Sequence, residues 1–196
     1  MVLNWRKRFA AAVAATAAFM ACAGPAVHAT EADGGGTKAA SAQLLLVHGY
    51  GNHSKGKDCN GDIWKNALKY YQDAGGRSRA SMTTIGYYTG DDKAKDYGPG
   101  CDVIVGDGEA DNARPIQDIA KDFAHYIHKV NTKEGKPVDI VAHSMGGLVT
   151  RVALLGSAQG WKGFPPKLDV NNVVTLSTPH RGVEDPGKYN TRQWHQ

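Results

Sequence analysis

Ser144 stands in the run Ala142-His143-Ser144-Met145-Gly146-Gly147, directly behind the apolar residues Val138-Asp139-Ile140-Val141. A serine with small residues two places before and after it suits nucleophilic attack. That spacing lets a strand turn sharply into a helix, so the hydroxyl is thrust from the sheet edge in a strained backbone conformation. Ala142 and Gly146 fill the two small positions, with alanine where glycine is the usual first residue. The extended run before and the amphipathic stretch after supply the context that a nucleophile elbow requires; the alternative is an ordinary Gly/Ser turn.

Serine alone is a poor nucleophile. It needs a histidine to take its proton, a carboxylate to orient that histidine, and donors for the oxyanion. One donor is expected from the backbone N–H of Met145, the residue after the serine. The other comes from a loop behind an early strand. His48-Gly49-Tyr50-Gly51 follows such a strand, and its glycines let the backbone approach a substrate carbonyl, which nominates the Tyr50 N–H. The competing view is a Gly-rich turn of no catalytic purpose. For the acid and base, the residues after Ser144 are Asp169, His180, Glu184, Asp185 and His195. Asp169 precedes the last strand, on the wrong side of the sheet. Asp185 and His195 stand in a workable order, but no strand separates them.

The elements that must position these groups follow from the apolar pattern. Gln43-Leu44-Leu45-Leu46-Val47 is a continuous apolar run, as in a strand buried on both faces. A helix is expected from about Asp62 to Ala74, stopped by Gly75-Gly76, and a second strand over Met82 to Tyr88. Thr89 to Asn112 is rich in Gly and Asp and too long for an ordinary connection, so it reads as a functional loop or flap. A helix begins near Pro115, with Ile116, Ile119, Phe123, Ile127 and Val130 at helical spacing. Val138 to Ala142 and Val173 to Ser177 supply the third and fourth strands. Alternating strands and helices give an α/β class: a mostly parallel sheet with helices on both faces.

The first 29 residues are set apart. Arg6-Lys7-Arg8 precedes an apolar run from Phe9 to Ala21, about thirteen residues and short of the roughly 20 that span a bilayer. With Val27-His28-Ala29 as a cleavage site, this reads as a secretory signal peptide, residues 1–29, the alternative being an uncleaved anchor. Residues 30–42 form a flexible lead-in, and a single α/β domain occupies 43–196. The formal charge of +4 rests on 23 basic and 19 acidic residues. The three basic residues in the signal leave 20 against 19, so the mature chain is near neutral and nucleic-acid binding is not expected. Nor is a stable membrane span. Cys22 leaves with the signal. Cys59 and Cys101 remain in an oxidising compartment, which favours a disulfide over two separate loop thiols.

Three stretches together resemble secreted bacterial lipases and esterases of the α/β-hydrolase fold. They are Leu45-Leu46-Val47-His48-Gly49-Tyr50-Gly51, Val138 to Leu148, and Val174-Thr175-Leu176-Ser177-Thr178-Pro179-His180-Arg181-Gly182, in the family's order. The resemblance implies hydrolysis of carboxylic (lipid or acyl) esters through Ser144; no cofactor is expected, and no metal, since no second close Cys or His pair has ligand spacing. It also implies that His143 and His180 are structural neighbours of the site, and that Thr178 to Gly182 shapes the pocket wall. In that family the acid and base follow two further strands, so the fold is expected to be C-terminally incomplete at Gln196, with the acid and base not identifiable. A non-catalytic hydrolase-fold protein that binds a hydrophobic ligand is the alternative, and a peptidase or acyltransferase could use the same elbow. Oligomeric state is not legible.

Smaller expectations complete the reading. Asp91-Asp92 and Asp107-Gly108-Glu109 are taken as solvated loop carboxylates rather than calcium ligands. The pairs Tyr70-Tyr71 and Tyr87-Tyr88 should each bury one ring and expose the other. Trp161 to Pro166 should pack as a loop on the sheet, the alternative being that it lines an acyl pocket.

Overall fold

The computed structural model describes residues 42–51, 58–91, 100–107 and 114–183. The expected signal peptide, the lead-in up to residue 41, and Asp92, Glu109, Glu184, Asp185 and His195 lie outside them.

Among the described residues, five parallel strands form one sheet: β1 (Gln43–Val47), β2 (Met82–Gly86), β3 (Val103–Ile104), β4 (Val138–His143) and β5 (Val170–Leu176). Their spatial order is β3-β2-β1-β4-β5. β1 is central, with Leu45 against Thr83 on one side and Ile140 on the other. A strand in that place must be apolar on both faces, and Leu44 to Val47 are all buried.

Alternation along β1 assigns the layers. Leu45 and Val47 join Ile85, Ile140 and Ala142 in a core closed by α2 (Ile116–Val130) and α3 (Met145–Ala158). Leu44 and Leu46 join Met82, Val141, Trp64 and Leu68 in a second core under α1 (Lys65–Asp73). Helices therefore cover both faces. α2 presents Ile116, Ile119, Ala120, Phe123, Ala124 and Ile127 inward, an apolar stripe at helical spacing. The fold is α/β with an all-parallel sheet, consistent with the hydrolase fold.

Several elements depart from the sequence reading. The helix expected from Asp62 starts at Lys65, because one π-type turn, Cys59–Ile63, precedes it, its open amide at Gly61 capped by the Asp58 carboxylate at 2.7 Å. The long segment after Thr89 contains β3, two residues paired with Ile85 and Gly86. The last strand is thus the fifth, and it begins at Val170 rather than Val173. It lies at the sheet edge, leaving Val173, Val174 and Leu176 exposed. Tyr70 is exposed as expected of its pair, but Tyr87 and Tyr88 are both buried, since both rings pack beside His48. Residues 161–166 include contacts to both helices of that core: Phe164 lies against Gly156 of α3, and the Gly163 carbonyl meets His125 of α2 at 2.7 Å. The Cys59–Cys101 disulfide is present, its Cα atoms 4.7 Å apart.

A polar clasp reinforces that bridge. Arg79 donates from Nη2 to both oxygens of Asp102 at 2.8 Å, and Asn60 Nδ2 donates to the same carboxylate at 2.9 Å. The Thr84 amide adds a third donor at 2.9 Å. Partial burial pushes the Asp102 carboxyl up, but the Thr84, Arg79 and Asn60 hydrogen bonds and the Arg79 charge outweigh it and hold it below the usual carboxylate range.

Candidate active site at the carboxyl edge of the sheet

β1, β2 and β3 step outward one way while β4 and β5 step the other, so the order of strands reverses between β1 and β4. In open parallel sheets, loops leaving the carboxyl ends on either side of such a reversal diverge and open a crevice. The two loops here are His48-Gly49-Tyr50 after β1 and Ser144 after β4.

Ser144 has φ 54° and ψ −126°, a conformation that costs a non-glycine residue about 1–3 kcal/mol and persists only where the surroundings enforce it. The enforcing contacts are specific. The Ser144 amide donates to the Leu176 carbonyl at 2.8 Å, fixing the turn to β5. Gly146 packs on the carbonyl oxygens of Val47 and His48, where a Cβ could not fit, and Gly147 packs on the Thr178 side chain. Ala142 is fully buried. The small residues around the serine are therefore required by the close passage of α3 over β1 and the loop after β5. Met145 opens α3, in the first turn, where helix amides have no intrahelical acceptor. Gly49 lies against Ser144, so the loop bearing Tyr50 and the helix start bearing Met145 flank one hydroxyl.

The histidines near the site are arranged less simply. His143 is exposed on the elbow. His180 Nε2 sits 3.0 Å from Thr175 Oγ1, and its carbonyl accepts from Arg151 at 3.1 Å, tying the Thr178-Pro179-His180 turn to α3. Among the described residues nothing hydrogen-bonds Ser144 Oγ. Asp169 lies at the opposite edge: its carbonyl accepts from the Val138 amide at the start of β4.

His48 and Asp91 form the feature that the sequence reading missed. Both are wholly buried, with His48 Nε2 2.8 Å from Asp91 Oδ2. The same oxygen accepts the amides of Tyr87 and Tyr88 at 2.9 and 2.8 Å. Asp91 is thus an internal carboxylate, not a solvated one, because it caps the end of β2 and pairs with a histidine 43 residues away. Asp107, by contrast, is exposed and pairs with Arg114. His48 Nδ1 meets the Gly49 carbonyl at 2.7 Å, and Tyr87 Oη donates to the His48 carbonyl at 2.8 Å. Burial pushes the Tyr87 phenol well above its ordinary value, helped by the nearby Tyr88 and Asp91, so the hydroxyl stays a donor. The only sequence signal was a histidine ending an otherwise apolar buried strand.

His48, Cys59 and Cys101 are close enough to suggest a metal cluster, but both sulfurs are committed to the disulfide.

Residues 109–186 match the family model described as a PGAP1-like alpha/beta domain. The match runs from before α2 through the elbow to the turn after β5, less than half of the 196 residues. That segment is similar to a hydrolase-like α/β domain. No curated protein and no solved structure matches the chain.

Proposed function

We propose that the protein is a serine hydrolase of the lipase/esterase type, cleaving carboxylic esters through an acyl-enzyme on Ser144. The strained backbone of Ser144 at the crevice, held from three sides, is the observation that carries this reading. In the reaction Ser144 Oγ attacks the ester carbonyl and loses its proton to a base. The amides of Met145 and Tyr50 receive the developing oxyanion, and collapse expels the alcohol. Water then releases the acid by the same steps. No described histidine hydrogen-bonds Ser144 Oγ, so this reading assigns no base or acid among the described residues. That gap is also what favours the second reading, a non-catalytic relative that binds a hydrophobic ligand in the same crevice.

Residues 1–29 are a cleaved secretory signal, 30–42 a lead-in and 43–196 the hydrolase domain. The disulfide is compatible with a secreted protein, and among the described residues no helix is long and apolar enough to cross a membrane.

Hydrolysis of p-nitrophenyl esters of graded acyl length tests it. Turnover should fall by about 10⁶ in Ser144→Ala. Turnover that survives the substitution would remove Ser144 from the reaction, and no turnover in the folded wild-type protein would favour the binding reading.

A further inference from the structure

We propose that Asp91 is a positioning residue for the oxyanion donor Tyr50, acting through His48. The inference rests on the serine-hydrolase reading for its catalytic consequence, but its structural content stands apart.

One peptide plane links His48 to the Tyr50 amide. In a trans peptide the carbonyl of one residue and the N–H of the next point in opposite directions. The Gly49 carbonyl is drawn into the interior by His48 Nδ1 at 2.7 Å and by Tyr87 Oη at 3.1 Å, whose single hydrogen is shared with the His48 carbonyl at 2.8 Å. The amide at the other end of that plane is Tyr50 N–H. Pinning the Gly49 oxygen inward therefore turns the Tyr50 N–H away from the interior, beside Ser144, against which Gly49 lies.

His48 can hold this carbonyl only if its ring is fixed, and three contacts fix it. Asp91 Oδ2 meets Nε2 at 2.8 Å, the Tyr87 ring stacks on the imidazole with centroids 4.4 Å apart, and Tyr87 Oη holds the His48 backbone. A carbonyl and a carboxylate both only accept, so the two contacts are hydrogen bonds together only when each ring nitrogen carries a hydrogen, and His48 then pairs with Asp91 as an imidazolium donating from Nε2 while Nδ1 donates to Gly49. Asp91 is itself immobilised. Its amide closes a turn onto the Tyr88 carbonyl at 3.0 Å, with Gly90 at φ 87°, and its carbonyl accepts from Cys101 at 2.8 Å. Cys101 is bonded to Cys59. A chain of contacts thus leads from the disulfide through Asp91 and His48 to the peptide that carries the proposed oxyanion donor. Every side chain in it is buried.

The test uses the whole protein with two readouts. The first is the backbone order parameter of the Tyr50 amide by NMR, which does not depend on activity. The second is the split between kcat and KM on a p-nitrophenyl ester. In Asp91→Ala the order parameter should fall from about 0.85 to below about 0.6. Turnover should fall about 10²-fold in kcat with KM little changed, because the lost donor acts on the transition state. Asp91→Asn, which keeps an acceptor for His48, should recover most of both. A folded Asp91→Ala protein with wild-type Tyr50 order and wild-type kcat would overturn the proposal. If Asp91→Ala does not fold, Tyr87→Phe removes one of the two donors on Gly49. It should lower kcat about 10-fold and loosen Tyr50, and an unchanged Tyr87→Phe protein would likewise overturn the proposal. Loss of Tyr50 order in a protein without esterase activity would uphold the positioning and sink the catalytic reading.

Discussion

Gly49 and Ser144 touch with no room for another atom: a Cβ on Gly49 would lie 2.6 Å from Ser144 Cβ and 3.2 Å from its Oγ. This contact brings the loop after β1 to the elbow after β4 and defines the geometry on which the proposed chemistry depends.

Gly49→Ala should therefore disturb Ser144 without unfolding the sheet. The added methyl meets the Cβ of a residue held rigidly from both sides, so the hydroxyl must shift. A displacement of that order is expected to slow acylation about 10²-fold. Acylation rate with an activated ester, beside an unchanged far-UV circular dichroism spectrum, checks it.

The disulfide closes a loop of 42 residues in sequence separation. Loop entropy gives it about 4 kcal/mol of stability. Cys59→Ser with Cys101→Ser should lower the stability measured in urea by that order. Since Arg79, Asn60 and Thr84 also hold Asp102, the variant should keep its fold at low denaturant.

Asp102 predicts a pH dependence. Its carboxyl is held below the ordinary value, so the unfolded chain takes up the proton first as pH falls. The stability it contributes is complete above the unfolded pKa of about 3.9 and is lost as pH drops through the folded value. Urea unfolding from pH 6 downward should show a steeper acid decline for the wild type than for Asp102→Asn.

Ser177, like Ser144, has a positive φ, 51°, and it lies exposed at the end of β5. Its side chain gains nothing that the described contacts show. Ser177→Gly should remove the strain and stabilise the protein by about 0.5–1 kcal/mol, since relief of about 1–2 kcal/mol is offset by the freer unfolded chain. Thermal unfolding measures it directly.

Much of this architecture was legible in the sequence, and the exceptions have physical causes. β1, β4 and α2 announce themselves because burial on both faces or at helical spacing leaves long apolar patterns. The elbow is legible because close packing demands small residues at fixed places, and Gly146 against His48 shows why. β3 was missed because two residues carry no periodicity. The start of β5 was missed because Asn171 and Asn172 sit on an exposed edge, where polar residues are tolerated. Asp91 was misread because nothing local distinguishes an aspartate that will be buried. Its partner His48 is brought to it only when β1 and β2 pair. The disulfide was inferred from redox compartment alone, and its place beside His48 could not be.

Whether Ser144 is an activated nucleophile is read most directly from reaction with a fluorophosphonate followed by intact-mass measurement. The purified, folded wild-type chain should gain one phosphonyl group on Ser144, and Ser144→Ala should gain none. A folded wild-type protein that stays unlabelled, or a Ser144→Ala protein labelled equally, would contradict the account.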